Sequence, residues 1–174
     1  MCDRRVAPGV SFSELTPSLA ATVVVPWTRA PDSYGGEGPR GGCEWAVPPS
    51  SGAAASTRRV LFCHGGGYTS CTPADYRGLS SRLAAAMGVP VFVFDYRKAP
   101  EHPHPCAIDD AETALRFVAT HGPDGESESV AASEIIVMGD SAGGGMALGL
   151  LLRLQRLAAA GQPPPHGRSD SIPT

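Results

Sequence analysis

Asparagine is absent from the 174 residues, and lysine occurs once, at Lys98, against 13 arginines. Alanine, glycine, proline and arginine dominate, as GC-rich coding sequence tends to produce, which speaks of the source more than of function. Blocks of like charge are missing too: the net charge is −3, with arginines and acids interspersed. A nucleic-acid partner or a charged interaction tail is therefore not expected. No apolar run approaches the length that crosses a bilayer, so no membrane span is expected. The opening MCDRRVAPGV has no apolar leader core, and the simplest compartment is the cytoplasm. Cys2, Cys43, Cys63, Cys71 and Cys106 contain no C-x-x-C pair. An odd number of scattered cysteines reads as reduced thiols, and neither a metal nor a cofactor is expected.

What is present is an alternation. Residues 1–57 are poorly defined, with strand-like TVVV (22–25) and CEWAV (43–47) around a Gly/Pro-rich loop. From residue 58 the text sharpens. RRVLFCH (58–64), VPVFVFDY (89–96) and EIIVM (134–138) are apolar runs of strand length. Helices are expected between and after them. The first is capped by Thr72 and Pro73 and closed by Gly88, with Leu79, Leu83 and Met87 as its buried face. The second covers 106–121, with Asp109 and Asp110 favouring its dipole, and the third covers 142–160. Continuously apolar strands alternating with helices predict an α/β fold with a mostly parallel sheet covered on both faces. The domain is expected over 58–165, with a disordered or unrelated tail at 166–174.

The chemistry concentrates at two glycine-rich strand ends. Gly139-Asp140-Ser141-Ala142-Gly143 places a serine at a strand-to-helix turn. Glycines two before and two after relieve crowding around a strained nucleophile, and the following helix N-terminus favours developing negative charge. His64-Gly65-Gly66-Gly67 ends an earlier strand. It is either a flexible turn or an exposed set of N–H groups. Paired with the N–H of Ala142, such groups form an oxyanion hole, each donor worth about 2.7–4 kcal/mol in the transition state. His64 is better suited to fixing this loop than to serving as base.

HGGGY (64–68), DYRKAPEHPHP (95–105) and GDSAGGG (139–145) together resemble the hormone-sensitive-lipase-like branch of the α/β-hydrolases. The resemblance runs over about 58–165. It implies Ser141 as nucleophile and Gly66, Gly67 and Ala142 as oxyanion donors. His64, Gly65 and Asp140 are supporting residues, and a small-molecule ester is the substrate. Lys98 stands where the family usually has an apolar residue, and His102 and His104 are expected to be structural.

The chain also departs from the pattern. A triad in this fold runs Ser, then Asp or Glu, then His. After Ser141 the chain has one histidine, His166, and one side-chain carboxylate, Asp170, in reverse order and within a polar tail. The expectation is therefore the N-terminal part of a hydrolase, lacking the later strands and impaired in catalysis; truncation, frameshift or a gene-model error would each produce it. Ile135–Met138 would then be an exposed edge, the helix after Ser141 would show an uncovered apolar face, and solubility would be marginal. Two alternatives stand beside the esterase: a receptor-like binding protein, as in the plant gibberellin receptors that resemble the same family, and a nonfunctional fragment.

Overall fold

A computed structural model describes the backbone of residues 22–25, and the chain at 43–48, 57–123 and 129–162. Cys2, the 26–42 loop, His166 and Asp170 lie outside the described residues.

Among the described residues five strands form one sheet: β1 (Thr22–Val25), β2 (Cys43–Ala46), β3 (Arg59–Cys63), β4 (Val91–Val93) and β5 (Ile135–Gly139), in the order β1-β2-β4-β3-β5. The β4-β3-β5 core is parallel, with Leu61 beside Phe92 on one side and Val137 on the other. β1 and β2 add to it antiparallel, through Trp45 opposite Phe92. An apolar run specifies burial on both faces but not the direction of its neighbour. For that reason the antiparallel edge was not legible from composition.

Side-chain alternation along each strand sorts the core into two layers. Trp45, Leu61, Cys63 and Phe92 face α2 (Cys106–Thr120) and α3 (Ala142–Ala159). Ala46, Val60, Phe62, Val91 and Val93 face α1 (Pro73–Met87). Arg59 fastens the first layer: its guanidinium donates to the carbonyls of Val118 (2.7 Å) and His121 (3.0 Å) at the C-terminal end of α2.

Three expectations need correction. Leu79 and Met87 are each 37% exposed; Leu83 is half-buried against the sheet as expected, but the residues α1 buries fully are Pro73, Ser80 and Ala84. Small side chains at 80 and 84 form the contact line with the sheet, which pushes the larger ones to its margins. The strand expected over 89–96 leaves the ladder after Val93. Phe94–Arg97 stay buried, but the Arg97 N–H donates to the Asp110 carboxylate (2.8 Å) instead of a strand. Asp110 is accordingly no solvent-facing dipole residue. It is fully buried and holds Arg97 at 2.9–3.0 Å through Nε and a terminal guanidinium nitrogen.

The expected edge and apolar face are both present among the described residues. β5 pairs with β3 on one side, and all five of its residues are half-buried. Leu148, Leu151 and Leu152 of α3 are 47–59% exposed. No helix among the described residues is long and apolar enough to cross a membrane.

Candidate functional site

β3 and β5 are adjacent and parallel, and their ladder ends at Cys63 opposite Gly139. The segments that follow, His64–Gly67 and Asp140–Ala142, therefore leave the sheet side by side. Ser141 sits at φ 48°, ψ −121°, a conformation unfavourable for a residue with a Cβ. It is exposed and is the residue from which α3 starts.

The flanking glycines explain how so tight a turn fits. A Cβ on Gly139 would lie 2.4 Å from the Gly143 carbonyl oxygen, and one on Gly143 only 1.9 Å from that of Cys63. The first turn of α3 therefore rests directly on the end of β3. Side chains at either position would prise the serine turn off the sheet.

The glycine loop is held one peptide at a time. The Gly65 N–H donates to Asp140 Oδ1 (2.8 Å) and to the Tyr76 hydroxyl (3.0 Å). The Gly65 carbonyl accepts from His64 Nδ1 (2.7 Å) and from the Tyr96 hydroxyl (3.1 Å). A trans peptide is planar, so a fixed Gly65 carbonyl aims the Gly66 N–H the opposite way. The Gly66 carbonyl in turn accepts from the N–H groups of Thr69 (3.1 Å) and Ser70 (3.0 Å), which orients the Gly67 N–H. Gly66 and Gly67 adopt φ of 112° and 62°, open to glycine at little cost. Among the described residues the N–H groups of Gly66 and Gly67 take no internal acceptor. That of Ala142 opens α3, where no intrahelical acceptor exists.

His64 is fully buried, stacked on Tyr96 with ring centroids 4.4 Å apart. Its Nδ1 is committed to Gly65, so Nδ1 carries a hydrogen. Nε2 lies 3.9 Å from Asp95 Oδ1, beyond direct hydrogen bonding. Lys98, unexpected in this position, ion-pairs with Asp95 and lies 5.1 Å from the Tyr96 ring centre. Burial penalises the Asp95 charge, but His64 and Lys98 outweigh that and hold its carboxyl below the usual range. Burial pushes the Cys63 and Cys43 thiols up to about 12, so neither is a nucleophile at neutral pH. His102 and His104 are exposed. No three His, Cys, Asp or Glu side chains among the described residues gather to hold a metal.

The structure thus brings together Ser141, Ala142, Asp140 and the His64–Gly67 loop. Tyr76, Asp95 and Tyr96 join them without having been singled out for this site. Tyr76 gave no signal, as tyrosine on a helix reads as packing. Asp95 and Tyr96 open the DYRKAPEHPHP stretch, which was read only as part of the family resemblance.

A sheet of this order, with a strained serine at a strand-to-helix turn beside a glycine loop, defines an α/β protein of the serine-elbow class. The chain belongs to the alpha/beta hydrolase fold family, whose sequence profile matches residues 60–168. It is 38% identical over 123 residues to an acetyl-hydrolase of Streptomyces hygroscopicus, covering 70% of this chain and 36% of that protein. The crystal structure of the HSL-homolog EstE7, from a metagenome library, superposes with a TM-score of 0.55 at 32% identity, covering 71% of this chain and 38% of that one. The gibberellin receptor GID1B of Arabidopsis thaliana is 37% identical over 98 residues, 54% of this chain and 26% of the receptor. The chain therefore spans well under half the length of these relatives.

Proposed function

We propose that this chain carries the nucleophile and oxyanion half of a carboxylic-ester hydrolase. Ser141 Oγ attacks the ester carbonyl, the N–H groups of Gly66, Gly67 and Ala142 receive the oxyanion, and an acyl-Ser141 forms as the alcohol leaves. Water then attacks the acyl group and releases the acid. The observation that carries this reading is the strained, exposed Ser141 turn, bonded through Asp140 to the glycine loop. A small ester is the substrate class.

Attack by Ser141 also needs a base to take its proton. His166 and Asp170 follow Ser141 in reverse order, and His64 has its Nδ1 committed to Gly65. Among the described residues His64 is therefore not free to serve Ser141 as base, and an external base should speed the attack. Hydrolysis of p-nitrophenyl acetate by wild type and Ser141→Ala, each with and without added imidazole as external base, tests this. The expected result is slow hydrolysis that imidazole raises in wild type beyond its effect on Ser141→Ala. Identical rates for the two proteins at every imidazole concentration would refute the assignment. The likeness to GID1B supports a second reading, binding of a small ligand without turnover. Equal rates together with saturable ligand binding would favour it.

A further inference from the structure

Orienting the Gly66 and Gly67 amides demands that the peptide before them not rotate. That peptide, His64–Gly65, is gripped on both edges. Its carbonyl accepts from the Tyr96 hydroxyl (3.0 Å), and its N–H is shared between Asp140 Oδ1 and the Tyr76 hydroxyl. The Tyr76 hydroxyl also donates to Asp140 Oδ2 (2.9 Å), closing a triangle among α1, the glycine loop and the residue before Ser141.

We propose that Tyr76 is a positioning residue for the oxyanion loop, acting through Gly65 and Asp140; the inference rests on the ester-hydrolase reading above. The Tyr76 oxygen is the one atom of the triangle that touches both of the other members as donor and as acceptor. It comes from a helix that is itself anchored. The Asp75 carboxylate accepts from the Thr72 N–H (2.8 Å) and hydroxyl (2.9 Å) at the start of α1, and Arg77 pairs with Glu44 of β2 (2.8 Å). The ring is held between Phe62 and His64, at centroid distances of 5.8 and 5.4 Å, so the hydroxyl is delivered from a fixed direction. Burial and the Asp140 bond push the phenol up to about 12, so it stays a donor at neutral pH. The triangle also accounts for glycine at 65: a Cβ there would lie 2.7 Å from Asp140 Oδ2 and 2.9 Å from the Tyr76 oxygen. The first glycine of the run thus serves the clamp, and the next two serve the substrate.

Tyr76→Phe removes the oxygen and leaves the ring packing. Amide hydrogen exchange at Gly65, followed by NMR, reads the clamp directly and needs no turnover. Imidazole-supported hydrolysis of p-nitrophenyl acetate reads its consequence. Loss of one shared hydrogen bond should lower kcat about 5- to 10-fold, leave KM within about twofold, and speed Gly65 exchange by a comparable factor. Asp140→Asn, which keeps an acceptor for Gly65 but loses the one for Tyr76, should speed the same exchange and serves if Tyr76→Phe does not fold. Gly65 protection equal to wild type in a folded variant overturns the proposal, as does a rise in KM with kcat unchanged. Wild type without Ser141-dependent turnover defeats the hydrolase reading instead, and the exchange measurement still decides the clamp.

Discussion

The three glycines at 143–145 look interchangeable in the sequence, yet the structure separates them sharply. An alanine Cβ at Gly143 would stand 1.9 Å from the Cys63 carbonyl oxygen and 2.7 Å from that of His64, both backbone atoms that no rotamer change can move. At Gly144 the nearest atom is the Gly139 oxygen at 3.4 Å, an ordinary contact. Both positions are helical, so alanine gains roughly 0.5–1 kcal/mol of propensity at each. At Gly144 that gain stands alone. At Gly143 it is opposed by a junction of β3 and α3 that must open by roughly 1 Å, and overpacking against rigid backbone costs about 3 kcal/mol. For a chain of this size, the net loss of about 2–2.5 kcal/mol translates into a melting temperature roughly 4–10 °C lower for Gly143→Ala, and the gain at Gly144→Ala into one roughly 1–4 °C higher. Thermal unfolding followed by circular dichroism measures both. A Gly143→Ala protein that melts with wild type, or a Gly144→Ala protein that melts below it, would refute the view that α3 rests on the end of β3.

Three further outcomes follow from the same contacts. Ser141→Gly should stabilise the chain by about 1 kcal/mol while abolishing ester hydrolysis, because glycine accepts φ 48°, ψ −121° without strain; Ser141→Ala, which keeps a Cβ, should show no such gain in urea unfolding. Asp110→Ala leaves the Arg97 guanidinium buried without its carboxylate and should cost about 3–5 kcal/mol in the same assay. Asp95 has a folded pKa below its unfolded value of about 3.9, so its contribution is present above that pH and is lost as pH falls through the folded value. The stability difference between wild type and Asp95→Asn should therefore shrink on acidification below about pH 4, and a difference that grows there would contradict the Lys98–Asp95 pairing.

Much of this architecture was legible because it obeys local rules. The apolar runs at 60–63 and 135–138 and the punctuation Thr72-Pro73 and Gly88 could be read directly, as could the glycine spacing around Ser141. What escaped depended on partners distant in the chain. Leucine spacing in α1 suggested a buried face, but only Leu83 of that set packs on the sheet, and Ser80 and Ala84 are the fully buried contact. Asp110 was consistent with a helix dipole, and nothing local revealed Arg97 as its partner. Tyr76 was silent because its role requires Gly65 and Asp140 to be neighbours, a fact that belongs to the β3–β5 pairing and not to any short stretch.

That pairing also sets the order in which the chain can assemble. Gly65 and Asp140 are separated by 75 residues, and everything between them must be bypassed before their hydrogen bond forms. Local elements such as α1 and α2 are free to organise early, whereas β5 must find β3 across a long loop closure. The glycine loop is therefore loose in any species where β5 has not yet docked, and it becomes a shaped cradle only when β5 arrives. In kinetic terms the site is a late event in folding. Substitutions that weaken the β3–β5 junction should speed unfolding far more than they slow refolding.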